Sequence, residues 1–305
     1  MKQILVTGAT GFVGKNLTSF LKENNQSIIE VSRNQGDGRV SYNEINVNIF
    51  NKSNVIIHLA GKAHDLKNIS NKDEYYEVNT ELTKQIFDFF LISDSSVFIM
   101  LSSVKAVADN VVGSLSEDCE PNPKTHYGKS KLLAERYILS KNIPGNKRVY
   151  ILRPCMIYGP NNKGNLNLLY KIVSKRIPWI LGAFKNMRSY CSIDNLLFVI
   201  NEFIHNNAIP SGVYNVADDE HLSTNEIISL MAKSNNKKTI IFNVYPFIIK
   251  IIAKIGDVIP LPLNSERLKK LTESYMVSNE KLKKYIGKEL PLTSRVGLIN
   301  TFKTY

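Results

Sequence analysis

Cysteine is scarce. The 305 residues hold three, Cys119, Cys155 and Cys191, far apart and odd in number. That excludes a disulfide framework and offers no metal-ligand spacing, so no metal is expected and a reducing, cytoplasmic setting is. Long apolar runs are also lacking. The longest apolar region, VYPFIIKIIAKIGDVIPLPL, is broken by Lys250, Lys254 and Asp257, short of the roughly 18 apolar residues that a membrane span needs. The apolar run in MKQILVTGAT is too short for a signal-peptide core. Acidic residues run low, 27 against 39 basic, for a net charge of +12. The excess is spread thinly, in pairs such as Lys237–Lys238, Lys269–Lys270 and Lys283–Lys284, and no aromatic-interleaved basic block accompanies it. Nucleic acid is therefore not the expected partner. A solvated surface, an anionic small substrate or acidic lipid remain as uses for the charge.

What is present alternates. Ile4–Val6, Ser27–Ser32, Val55–Ala60, Val97–Ser103 and Val149–Pro154 are short, β-branched, nearly continuous apolar runs, as strands covered on both faces require. Between them, Val13, Leu17, Phe20 and Leu21, and later Leu82, Ile86, Phe89 and Phe90, fall at helical spacing. Strand–helix alternation predicts an α/β fold, a doubly wound parallel sheet of Rossmann type. The second half reads as helices over 164–176 and 194–206, a strand near 212–218, and a helix opened by Ser223 or Thr224, with Glu226 three after Ser223 as in a capping box. No linker or internal repeat separates the halves. The expected division is a nucleotide-binding domain over 1–155 plus about 189–216, with a smaller substrate lobe woven from about 156–188 and 217–305.

The stretch LVTGATGFVG places Gly8, Gly11 and Gly14 three apart, behind a strand and ahead of a helix. Gly8 allows a sharp turn, Gly11 allows backbone to approach a pyrophosphate, and Gly14 allows the helix to pack on the sheet. Phe12 and Val13 open that helix, whose N-terminal N–H groups attract an anion. After the second strand an acidic residue would suit the ribose of NAD, and a basic one the extra phosphate of NADP. Glu30 falls within the strand and the tip carries Ser32 and Arg33, so NADP(H) is favoured over NAD(H).

Ser103 ends the strand VFIMLSS, and Tyr127 and Lys131 stand four apart in HYGKSKLLAERYIL. On a helix that puts phenol and ammonium on one face. Lowering a phenol from about 10 to about 7 requires roughly 4 kcal/mol, within reach of a nearby cation and a charged nicotinamide in a dry cleft. A strand-end serine could bond the same substrate oxygen.

TGATGFVG, HLAG, SSVKAV, YGKSK and RPCMIYGP in this order resemble the extended short-chain dehydrogenase/reductase family over essentially the whole chain. That family includes nucleotide-sugar epimerases, 4,6-dehydratases and 4-ketoreductases. The resemblance implies Tyr127 as acid/base, Lys131 as the residue that lowers its pKa and holds the nicotinamide ribose, and Ser103 on the reacting oxygen. It places His58, Leu59, Ala60 and Gly61 along the cofactor and Pro154 beside the nicotinamide. Asn79 matches a helix asparagine whose role is mainly structural. The dehydratases' Thr-Asp-Glu is replaced by Ser103-Val104-Lys105, which argues against elimination of water. Lys105, with KGNLNLL, LGAFKNMRSYCSIDNL and LSTNEII, is similar to a subgroup of bacterial polysaccharide enzymes acting on UDP-N-acetylhexosamines or their 4-keto-6-deoxy derivatives. That likeness implies a UDP-sugar substrate near Lys62, His64, Lys105, Asn165 and Arg188, with Arg188 on the diphosphate. The resulting expectation is a 4-ketoreductase. The alternatives are a 4-epimerase and, in another class, a non-catalytic NADP(H) sensor, which would be expected to lack Tyr127 or Lys131. Relatives often pair through a four-helix interface, so a homodimer is an option. The segment 246–263 could cover the substrate lobe or rest on a membrane or partner.

Overall fold

The computed structural model describes residues 3–305 apart from 34, 35, 37, 63–70, 163, 164 and 260, and apart from the side chains of Asn165 and Leu168. Seven parallel strands make the main sheet: β1 (Gln3–Thr7), β2 (Ile28–Ser32), β3 (Val40–Ser41), β4 (Ser53–His58), β5 (Val97–Leu101), β6 (Arg148–Pro154) and β7 (Gly212–Val216). Their spatial order is β3-β2-β1-β4-β5-β6-β7. Ile4 sits between Ile28 and Val55 across the ladder.

The sheet explains why its strands read as unbroken apolar runs. Val6, Ile57, Ile99 and Leu152 enter the core on one face. Leu5, Ile56, Phe98 and Ile151 enter a second core on the other. Alternate side chains of a strand point to opposite faces, and here both faces are covered. Helices Phe12–Glu23 and Ile193–His205 cover the first through Leu17, Leu21, Leu196 and Phe203. Helices Leu82–Ile92 and His126–Leu139 cover the second through Ile86, Phe90, Ala134 and Ile138.

A three-stranded sheet, His221–Leu222, Arg188–Ser192 and Met156–Tyr158, belongs to a third core with Trp179, Tyr190, Met231 and Phe302. Ser223 caps helix Thr224–Ser234, and Glu226 returns a carboxylate to the Ser223 N–H (2.9 Å). The expected boundaries differ in two places. Arg188–Ser192 pairs in the smaller sheet, so the return to the large one starts with the helix at Ile193. The last stretch is also shared. Met276–Val277 pairs with Ser114–Leu115, and Leu282 and Ile286 pack into the first core. Asp218 ties the units together, accepting from Ser192 N (2.9 Å), Asn195 Nδ2 (2.7 Å), Tyr158 Oη (2.9 Å) and Ser294 Oγ (3.0 Å).

Candidate active site at the carboxyl end of the large sheet

Strand order reverses between β1 and β4, the place where an open parallel sheet forms a crevice beyond its carboxyl ends. Gly8 turns the chain there with φ +70°, and a Cβ on it would lie 2.7 Å from the Ala60 nitrogen. Only a glycine lets the two loops touch. A Cβ on Gly14 would collide with the Gly8 carbonyl oxygen, so the first helix starts hard against β1. Gly11 is its N-cap, with no side-chain cap and no acidic residue in the first turn. Helix N–H groups thus remain for an outside acceptor. Phe12 and Val13 pack their half-buried side chains against the core.

A cavity of about 670 Å³ opens beside this turn, and its walls include Gly8, Gly11, Ser32, Arg33, Leu59, Ala60 and Gly61. A dinucleotide fits such a cradle, with bare backbone, an uncapped helix end and a guanidinium at the rim. Burial alone would raise the Glu30 carboxyl. Lys22 Nζ (2.6 Å) and Arg39 Nε (3.0 Å) outweigh it and hold the group below its ordinary range. Tyr42, which no motif signals, lines the same cavity, and its hydroxyl accepts the Gly8 N–H at 3.0 Å. Pro154 is buried at the end of β6 and is not among these walls.

Ser103 and Tyr127 are brought together by the loop after β5. The Ser103 hydroxyl accepts the Lys105 N–H (3.2 Å) and is hydrogen-bonded to Tyr127. Asp109 accepts the N–H groups of Lys124 (2.6 Å) and Thr125 (3.2 Å), and Thr125 caps the helix through Gly128 N (3.2 Å). A Cβ on Gly128 would strike the Lys105 carbonyl oxygen. The tyrosine helix is thereby fastened to the serine loop. Burial pushes the Tyr127 phenol above its ordinary value, and the bond to Ser103 opposes the rise. Lys131 is 4% exposed, and its ammonium donates to the Leu101 carbonyl at 2.9 Å. Burial lowers its pKa to about 8, with Glu135 opposing. A Cβ on Gly61 would come within 2.9 Å of Lys131 Nζ, so the cavity wall and the lysine meet there.

Around these groups runs a buried polar frame. Asn79, in a wide turn over Glu77–Glu81, accepts the Lys62 N–H (2.8 Å) and donates to Ser130 Oγ (3.0 Å). Widened turns of this kind recur at functional sites. His58 does not reach the glycine-loop cavity with its side chain, which is fully buried between Thr7 Oγ1 (2.8 Å) and Thr83 Oγ1 (2.9 Å). Burial lowers its pKa to about 3, helped by the Lys131 charge. Ala60 N donates to Thr7, and Thr83 donates to the Asn79 carbonyl. The chain of bonds then runs in one direction and sets the neutral ring with its proton on Nε2. Glu135, one turn beyond Lys131 and fully buried, pairs with Arg153 (2.6 Å) and accepts from Ser102. Its spacing of four from Lys131 was the only trace of it in the sequence.

Lys105 and Arg188 converge at a second place. Lys105 Nζ lies 4.1 Å from the Tyr275 ring centroid and donates to the Asp109 carbonyl (2.8 Å). Burial lowers its pKa, Asp109 and Glu273 oppose, and the nearby charges of Arg188 and Lys269 lower it further. Arg188 donates to the Lys270 carbonyl at 2.6 Å. A cluster of cations held by carbonyls suits a polyanion. Lys62 lies elsewhere, on the glycine-loop cavity, with its ammonium on Glu74. His64 is outside the described residues. Asn165 opens helix Asn165–Ser174, and its side chain is outside them too. Among the described residues no His/Cys/Asp/Glu group could hold a metal, and no helix is long and apolar enough to cross a membrane.

Comparison with known proteins gives concordant matches. A UDP-glucose 4-epimerase of Vibrio cholerae is 30% identical over all of this chain and 95% of its own. An N-acetyl-α-D-glucosaminyl-diphospho-ditrans,octacis-undecaprenol 4-epimerase of Escherichia coli O157:H7 is 27% identical over 77% of this chain and 73% of its own. The crystal structure of UDP-N-acetylglucosamine 4-epimerase from Bacillus cereus superposes with a TM-score of 0.77 at 18% identity, over 99% of this chain and 98% of that one, a likeness of fold. The profile of the NAD dependent epimerase/dehydratase family matches residues 4–217, and with that match and the full-length similarity, the chain belongs to this family.

Proposed function

We propose that the chain reduces the C4 ketone of a UDP-linked 4-keto-6-deoxy-N-acetylhexosamine with NADP(H), as a step toward a surface polysaccharide. The tip of β2 carries this reading. Ser32 and Arg33 border the cavity, while the one carboxylate of that strand is occupied by Lys22 and Arg39. A guanidinium there suits the additional phosphate of an exchangeable NADPH. When bound, that cofactor supplies the hydride.

The residues of the chain do the rest. Tyr127, its phenol held above the ordinary range, stays protonated at neutral pH and gives its proton to the ketone oxygen as the alcohol forms. Ser103, bonded to Tyr127, donates to the same oxygen and orients it. Lys131, fixed by Leu101, holds the ribose and restores positive charge near the phenol. Lys105 and Arg188 take the diphosphate.

A second reading is a 4-epimerase that keeps its cofactor, favoured by the full-length relative bearing that name. The relative named for an undecaprenyl diphosphate sugar widens that reading to a lipid-carried sugar. Purified protein is mixed with UDP-2-acetamido-2,6-dideoxy-4-hexulose and NADPH, and NADPH absorbance is followed. Tyr127→Phe should lower turnover by about 10²–10⁴-fold with cofactor binding nearly intact. No NADPH oxidation, together with interconversion of UDP-GlcNAc and UDP-GalNAc, would sink the reductase reading.

A further inference from the structure

We propose that one face of the smaller lobe docks on an anionic lipid bilayer, whichever C4 chemistry the site performs. Helix Pro246–Gly256 uses Ile249 and Ala253, one turn apart, to pack on the lobe. The opposite side is apolar and exposed. Ile248, Ile251, Ile252 and Ile255 follow the i, i+3, i+4, i+7 pattern of a single stripe and are 36–46% exposed, and Ile259 (54%) follows just past the helix end. Tyr245 (78%) and Phe247 (72%) stand at its start and Val258 (88%) at its end. At 3.6 residues per turn, Lys250 and Lys254 fall along one margin of this stripe, and both are exposed.

Those lysines decide the occupant. A second copy meeting this stripe about a two-fold axis would bring like charges together. Residues 227–265 contain five lysines and a single carboxylate, Asp257, which is engaged by the N–H (2.9 Å) and hydroxyl (2.6 Å) of Ser265. An anionic bilayer satisfies both features, with apolar side chains at the acyl boundary and lysines reaching up to headgroups. A second observation agrees. Through exposed Phe242 the chain runs back to Ile240, on a cleft of about 330 Å³ walled by Trp179 and Ile177 and by the cations Arg176, Lys237 and Lys238. Apolar walls with three cations suit a lipid phosphate. The docking helix packs on helix Ser265–Thr272, whose Lys270 carbonyl holds Arg188. One helix therefore separates the proposed bilayer contact from the cationic cluster of the site.

The test is sedimentation of the purified full chain with extruded vesicles, either phosphatidylglycerol with phosphatidylethanolamine or phosphatidylcholine alone. Binding should favour the anionic vesicles by about tenfold and weaken as salt rises. Ile251→Asp with Ile255→Asp, and separately Lys250→Gln with Lys254→Gln, should each reduce it about tenfold or more. Both pairs are exposed, so thermal midpoints should match the wild type. Hydrogen exchange on the unmodified chain needs no variant, and amides of 245–259 should gain protection with anionic vesicles. Absent anionic binding, binding that both variants retain, or unchanged exchange overturns the proposal. So does a lipid-free dimer that the isoleucine variant dissolves without any vesicle binding, which would assign the stripe to a second copy.

Discussion

Replacing Lys131 by methionine is expected to stabilise the folded chain at neutral pH while removing its activity. Lys131 is 4% exposed, and burial lowers its pKa from 10.5 to about 8. At about 1.36 kcal/mol for each pH unit, that lowering costs the fold about 3 kcal/mol. Methionine keeps the unbranched shape and forfeits the hydrogen bond to the Leu101 carbonyl, worth about 1.5 kcal/mol for a charged donor. The net gain is about 1.5 kcal/mol, or about 2–3 °C in midpoint for a chain of this size. The sign depends on pH. Below about 8 both folded and unfolded chains keep the proton, so the cost is felt in full. Between about 8 and 10.5 the folded chain releases it first, the wild type gains stability, and the advantage of Lys131→Met closes. Thermal melts of both proteins at pH 7 and near pH 10 read this directly. A variant less stable than the wild type at pH 7, or one with the same advantage at both values, would contradict a charge held in the fold at a cost. Turnover should fall by about 10²–10⁴-fold throughout.

Gly61→Ala places a methyl 2.9 Å from Lys131 Nζ. The methyl would also press on Asn79 Oδ1 (3.1 Å), so the ammonium must shift from the Leu101 carbonyl, and kcat/KM should fall by about 10–100-fold; equal kcat/KM would show that the ammonium's position is unimportant. His58 ordinarily titrates near 6.5 and does so near 3 in the fold, so its contribution is complete above 6.5 and lost as pH falls toward 3. Denaturant titrations should show about 4–5 kcal/mol disappearing over that window, and a flatter profile in His58→Asn; parallel profiles would contradict the buried neutral ring. Arg33→Ala should raise the KM for NADPH by about 10–100-fold and leave NADH unchanged, whereas equal shifts for both would remove the case for the extra phosphate.

Local and periodic features were legible from the residues alone. The glycines at 8 and 14 were legible because a tight strand–turn–helix leaves no room for a Cβ against the neighbouring backbone. The parallel sheet was legible because strands buried on both faces are apolar along most of their length instead of alternating. Tyr127 and Lys131 share a face because a helix repeats every 3.6 residues. Tertiary structure decided the rest. That Glu135 answers Arg153 across 18 residues, that Asn79 bonds Ser130 across 51, and that Tyr275 lies under Lys105 follow from how the chain returns on itself. So do the splitting of the C-terminal stretch between two cores and the placing of Lys62 apart from Lys105 and Arg188. The helix 246–256 shows the same limit. Its amphipathic pattern was plain, but an apolar side chain reads alike whether it faces a core or solvent. Only packing revealed that Ile249 and Ala253 face inward and the isoleucine stripe outward.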